Sequence, residues 1–130
     1  MKVLALDYGR ARTGVAVSDP TGTLARPLGV VERASTESGL AELARLAREE
    51  AAERIVVGLP LTLRGTRGEQ AAETERFVEA LRDAVDVPVE LFDERFTTDL
   101  AQQTAGEASE DALAAAHLLS TYLEWCAARS

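Results

Sequence analysis

The sequence predicts an α/β fold: a five-stranded mixed sheet, an antiparallel three-strand meander plus two parallel strands, with helices on both faces. Three observations carry that expectation. Two strand-like runs, 2–7 and 13–19, flank a short glycine turn at Tyr8-Gly9. Two later apolar runs, 55–58 and 87–92, alternate with amphipathic stretches, as parallel strands alternate with crossover helices. The apolar fraction of 46% over 130 residues is enough for one core, and residues 1–130 read as a single domain.

The elements follow in order. After the first two strands, Asp19-Pro20-Thr21-Gly22 supplies turn chemistry ahead of a third strand over 24–32. Leu40, Leu43, Ala44, Ala47 and Ala51 recur at helical spacing and predict a helix over 40–52. Ile55-Val56-Val57-Gly58 is short and almost wholly apolar, as a parallel strand buried on both faces must be. Leu59-Pro60 ends it, and 61–68 is a loop with two glycines. A second helix over 69–84 has the stripe Ala71, Thr74, Phe77, Val78 and Leu81. Residues 87–92 form the last strand, with Pro88 tolerable near its start. Thr97 or Thr98 caps a short helix to about Thr104, Gly106 to Ser109 is a break, and 110–127 is the closing helix. On that helix Asp111, Ala115, Leu118, Tyr122 and Trp125 share one face, which is directed at the core.

Composition excludes several classes. No apolar run approaches the roughly 18 residues of a membrane span. Met1-Lys2-Val3 leads straight into strand, without signal-peptide architecture. The single Cys126 excludes an internal disulfide and a cysteine-rich zinc site. The chain reads as cytoplasmic. Its net charge of −8 argues against non-specific affinity for nucleic acid, but the charge is uneven. Residues 1–68 carry ten Lys and Arg against eight Asp and Glu, whereas 69–130 carry four against fourteen. Arg10, Arg12, Arg26, Arg64 and Arg67 fall in or beside loops and form a candidate basic rim.

Carboxylates stand at three element ends. Asp7 closes the first strand, Asp93-Glu94 closes the last, and Asp111 opens the final helix. Ligands of open α/β sheets gather at the carboxyl ends of strands. A carboxylate ending an apolar strand is costly to desolvate without a cation or hydrogen bonds. Three converging carboxylates repel unless they share a divalent cation, and an all-oxygen set suits Mg²⁺ or Mn²⁺. Each also has a plainer reading: Asp7 as acceptor from the Gly9 or Arg10 amide, Glu94 in a surface pair with Arg95, and Asp111 as a helix cap. His117 lies off the core face of its helix. No phosphate loop, dinucleotide fingerprint, zinc-protease motif or nucleophile elbow is present.

Four segments together resemble one family: Leu6-Asp7-Tyr8-Gly9-Arg10-Ala11-Arg12-Thr13-Gly14-Val15-Ala16-Val17-Ser18-Asp19; Val56-Val57-Gly58-Leu59-Pro60-Leu61 with Gly65-Thr66; Asp93-Glu94-Arg95-Phe96-Thr97-Thr98; and Asp111 with its Ala-rich helix. In this order and spacing they are similar to the YqgF family of bacterial proteins, also called RuvX-like. The resemblance implies an RNase H-like fold and a nuclease that processes the 5′ end of precursor 16S rRNA, or resolves Holliday junctions. It also implies a catalytic, metal-binding triad, Asp7, Glu94 and Asp111. The chain departs from the family at Gly106-Glu107-Ala108-Ser109-Glu110, which is short and acidic where the family has a longer, lysine-bearing segment.

The expected chemistry is two-metal phosphodiester hydrolysis, with Asp7 bridging two Mg²⁺ or Mn²⁺ ions and Glu94 and Asp111 holding one each. Arg10, Arg12, Thr13, Arg64, Arg67 and Arg95 are the expected nucleic-acid contacts; Arg95 equally suits a salt bridge to Asp93. The expected partner is structured RNA or branched DNA, with no membrane, and the chain is a monomer or a homodimer. Two rivals remain. Asp7-x-Gly9 with Gly14 also looks like the first phosphate hairpin of the actin and sugar-kinase group, and the acidic 106–110 segment leaves room for a non-catalytic RNA- or ribosome-binding module.

Overall fold

In the computed structural model, which describes residues 1–60, 68–93 and 109–129, the elements appear in the order read from the sequence. Strands β1 (Val3–Asp7), β2 (Arg12–Ser18) and β3 (Ala25–Glu32) precede helix α1 (Glu37–Glu49). Strand β4 (Arg54–Leu59), helix α2 (Glu69–Ala84), strand β5 (Val89–Asp93) and helix α3 (Glu110–Arg129) follow. The helix expected up to Thr104 lies outside the described residues.

The sheet order is β3-β2-β1-β4-β5. β1–β2 and β2–β3 pair antiparallel, and β1–β4 and β4–β5 pair parallel, so the carboxyl ends of β1, β4 and β5 share one edge. Alternation along β1 divides the core between the two faces. Leu4 and Leu6 pack with Leu43 of α1 and Phe77, Val78 and Leu81 of α2. Val3 and Ala5 pack with Ala16, Val56, and Ala115, Leu118 and Tyr122 of α3. Helices therefore cover both faces, as expected.

Local chemistry explains where the boundaries differ. Thr36 caps α1, its hydroxyl accepting from the Gly39 amide at 3.1 Å, so the helix begins at Glu37 rather than residue 40. It stops at Glu49, because Ala51 adopts a left-handed backbone (φ 53°). β5 starts at Val89, whose carbonyl accepts from the Arg82 guanidinium of α2 at 3.0 Å. Pro27 is accommodated on the edge strand β3, next to a bulge opposite Val15 and Ala16.

The far end of α3 is locked by a polar contact. The buried Tyr122 hydroxyl accepts from Arg54 and donates to Glu90, each at 2.8 Å. Burial first, and the Glu90 contact with it, pushes the phenol above its usual range, so it stays protonated. Trp125, expected on the core face, is instead 40% exposed: it packs edge-on against Phe92 while Arg129 covers its ring at 4.6 Å. Among the described residues no helix is long and apolar enough to cross a membrane.

Asp19 organises the β2–β3 turn. Its carboxylate accepts from the Thr21 hydroxyl and from the Leu24 and Thr23 amides, which lower its pKa from 3.8 to about 2. A depressed carboxylate stabilises the fold above its unfolded pKa and loses that contribution as pH falls toward its folded one. The melting temperature of the wild type should exceed that of Asp19→Asn by a constant gap above about pH 4, and the gap should close as pH falls to about 2.

Candidate active site

Asp7 is the last residue of β1, and the alternation that sends Leu4 and Leu6 toward α1 and α2 sends Val3, Ala5 and Asp7 toward α3. Tyr8, one step on, turns the other way and stacks on Phe77 of α2, ring centroids 4.3 Å apart. Asp7 thus sits half-buried at the carboxyl edge of the sheet, on the face that α3 covers.

The start of α3 meets it there. Gly14 is the cross-strand partner of Asp7. A Cβ added to Gly14 would lie 1.8 Å from the Asp111 carbonyl oxygen and 2.3 Å from its carbon. The absent side chain is therefore what lets the first turn of α3 rest on β2, bringing the Asp111 backbone beside the Asp7 position. Ala112 and Ala115 continue the close approach, both essentially buried. The cap of this helix is Ser109, whose hydroxyl accepts from the Ala112 amide at 3.2 Å. Asp111 lies two residues past the cap, so its side chain does not serve as one. Its negative charge is instead favoured by the positive end of the helix.

Two arginines border the carboxylates. Arg12 pairs with Asp111 at 3.2 Å, and Arg10 forms an ion pair and hydrogen bond with Glu73 of α2. The Arg10 guanidinium holds the Glu73 carboxyl below its usual range. Both arginines are largely exposed, so solvent screens each pair and neither adds much to stability. A cleft of about 470 Å³ opens beside them, lined by Asp7, Tyr8, Gly9, Arg10, Pro60, Gln70, Glu73 and Thr74.

One expected contact, Thr13, and one arginine of the candidate basic rim, Arg26, are placed elsewhere. Thr13 is fully buried, and its hydroxyl faces the Gly9 amide and carbonyl at 3.4 and 3.5 Å, so it closes the hairpin and does not face a phosphate. Arg26 lies in β3 opposite Val17, at the sheet edge remote from Asp7, where it pairs with Glu50 at 3.7 Å. Glu94, Arg64, Arg67 and Arg95 lie outside the described residues. Arg33 is the residue that sequence reading missed: it has no motif, and only the backbone shows that it stands beside the first hairpin, its amide donating to the Ala11 carbonyl at 3.0 Å.

The residues present suit a hard divalent cation. Asp7 and Asp111 offer only oxygen, and neither Cys126 nor His117 lies beside them in sequence or in the first turn of α3. Among the described residues no group of three metal-ligating side chains forms. The third expected ligand, Glu94, falls outside them.

A family model described as RuvX, Holliday junction resolvase, matches residues 1–125. A protein of Chloroflexus aurantiacus named "Putative pre-16S rRNA nuclease" is 41% identical over 131 residues, covering 94% of this chain and 86% of the relative. One of the same name from Syntrophomonas wolfei is 37% identical over 133 residues, covering 95% and 94%. Among solved structures, T. thermophilus RuvC in complex with a Holliday junction substrate superposes with a TM-score of 0.63 at 19% identity, over 97% of this chain and 96% of that one. The fowlpox virus resolvase in complex with Holliday junction DNA gives 0.56 at 13%, over 97% and 99%. These two likenesses bear on the fold, which is RNase H-like.

Replacing Gly14 tests the packing that joins the two carboxylates. Gly14→Ala should lower stability by about 1–3 kcal/mol in denaturant melts, as overpacking does. It should also weaken Mn²⁺ binding by titration calorimetry, because α3 must move away from β2.

Proposed function

The chain belongs to the RuvX family, and on that premise we propose that it is a metal-dependent nuclease that hydrolyses phosphodiester bonds and processes the 5′ end of precursor 16S rRNA in the cytoplasm. The observation that carries this reading is the meeting of Asp7 with the start of α3 across Gly14, in an oxygen-only site bordered by arginines. Asp7, Glu94 and Asp111 would hold Mg²⁺ or Mn²⁺, which when bound activates the attacking water and stabilises the leaving 3′ oxygen.

The protein's own residues do the rest. Asp7 is presented by a strand packed on both faces, so its backbone is rigid. Arg12 neutralises Asp111 before substrate arrives and is then free to take a non-bridging phosphate oxygen. Arg10 can exchange Glu73 for phosphate in the same way. Arg64, Arg67 and Arg95 extend the proposed contact surface. The −8 net charge limits affinity for nucleic acid in general and leaves selectivity to this local cationic edge.

A second reading, resolution of Holliday junctions, is favoured by the description of the matching family model. Paired symmetric cuts need two active sites, so it requires a homodimer, whereas trimming one RNA end suits a monomer.

A cleavage panel with Mg²⁺ and Mn²⁺ separates these readings. It comprises a precursor 16S rRNA 5′ fragment, a four-way DNA junction and single strands, run beside Asp7→Asn. The RNA fragment should be cut near its mature 5′ end. Asp7→Asn should slow cleavage by at least about a hundredfold, since the metal contributes several kcal/mol to the barrier. Paired cuts of the junction alone would select the second reading, and binding without any cleavage would leave a non-catalytic RNA-binding module.

A further inference from the structure

Arg33, between β3 and α1, adopts a left-handed backbone with φ 49°, a conformation that residues with a Cβ disfavour. The turn enforces it from both sides. The Arg33 amide donates to the Ala11 carbonyl at 3.0 Å, and its carbonyl accepts from the Thr36 amide and hydroxyl at 3.0 and 2.7 Å. Glycine would satisfy those bonds without strain, because all three use the backbone alone. The position carries a long cation instead.

That residue stands beside the hairpin whose Arg10 lines the cleft. The Ala11 contact ties the β3–α1 turn to the hairpin bearing Arg10 and Arg12, and the residue preceding Arg33, Glu32, is the cross-strand partner of Arg12. Paired Cα atoms in an antiparallel sheet lie roughly 5 Å apart, so Arg33 flanks Arg12 at the same sheet edge as Asp7. Arg10 and Arg12 are both engaged by carboxylates, whereas no carboxylate among the described residues pairs with Arg33, which is exposed. The other non-glycine residue in this conformation, Ala51, differs: it ends α1, where the Ala52 amide donates to the Ala47 carbonyl at 2.9 Å, and its methyl carries no chemistry.

We propose that Arg33 is a phosphate anchor, holding the nucleic-acid backbone on the β3 side of the cleft next to the nucleotide being cut. The proposal rests on the reading of the cleft as a nucleic-acid site. Arg33 is ready before binding, while Arg12 and Arg10 join only after leaving their carboxylates. The strand would therefore be caught first at the β3–α1 turn and then laid across the hairpin toward Asp7. Its recognition is of phosphate charge, and it carries no base preference.

The test measures binding of a fluorescent precursor 16S rRNA 5′ fragment across a range of salt, in an Asp7→Asn background so that the RNA stays whole. Adding Arg33→Gln should weaken binding about fivefold at ~0.15 M salt and flatten the plot of log affinity against log salt by about 0.7–0.9, the loss of one phosphate contact. Arg33→Lys should keep most of the slope. Arg33→Gly should weaken binding as Gln does yet raise the melting temperature, whereas Ala51→Gly should raise the melting temperature and leave binding unchanged. Affinity and slope unchanged in both the Gln and Gly variants would overturn the proposal. So would weaker binding with an unchanged slope, which would mean that charge is not what Arg33 contributes. A wild type that binds RNA in this Arg33-dependent way but cuts nothing would refute the nuclease reading and leave Arg33 as an anchor.

Discussion

The rest of the structure depends on the contact between the first turn of α3 and β2 at Gly14. A helix resting on a sheet is normally held off by the side chains between them. Here the facing layer is Ala5, Gly14 and Ala16 on the sheet against Ala112 and Ala115 on the helix, so the backbones approach until even one methyl is too many. The lack of a side chain at Gly14 is what brings the Asp111 backbone next to the strand position paired with Asp7. The Ser109 cap fixes where α3 begins, and the Tyr122 contact with Arg54 and Glu90 fixes its other end, so the helix is held to the sheet at both ends.

The electrostatics follow from that placement. Acidic groups gathered at one end of the sheet are costly unless positive charge stands near, and Arg12 supplies such a charge to Asp111. Being largely exposed, the pair ties Arg12 to Asp111 only weakly, which suits the proposed release of Asp111 to a metal ion. The acidic excess lies chiefly in 69–130, while the edge that carries Asp7 also carries Arg10, Arg12 and Arg33. A chain acidic overall can therefore present a cationic margin to one strand of nucleic acid.

Much of this was legible in the sequence because it is written in periodicity and punctuation. The largely apolar runs at 2–7 and 13–19 around a glycine turn, the apolar run at 55–58 and the helical stripes at 40–52 and 69–84 specify the sheet and its layers, and Asp7 at a strand end points to the candidate site. Boundaries set by single hydrogen bonds were less visible: nothing periodic marks Thr36 as a cap or Ala51 as a stop. Thr13 reads as a phosphate contact because it lies in the first hairpin with Arg10 and Arg12, but the sequence does not reveal that both faces of β2 are covered. Arg33 had no sequence signal, since its significance lies in a backbone angle and a bond to a hairpin some twenty residues earlier. Trp125 falls on the predicted face and packs against Phe92 and Tyr122, yet 40% of it stays exposed, which helical spacing does not reveal.

The central claim is that Asp7 and Asp111 act on one and the same ion, and a double-mutant cycle on Mn²⁺ affinity tests it most directly. Affinity would be read from the free Mn²⁺ signal in electron paramagnetic resonance, for the wild type, Asp7→Asn, Asp111→Asn and the double variant. Ligands that share an ion are strongly coupled, so the double variant should lose little more affinity than either single one. Losses that simply add, or an Asp111→Asn protein that binds Mn²⁺ as tightly as the wild type, would show that the two carboxylates do not form one site.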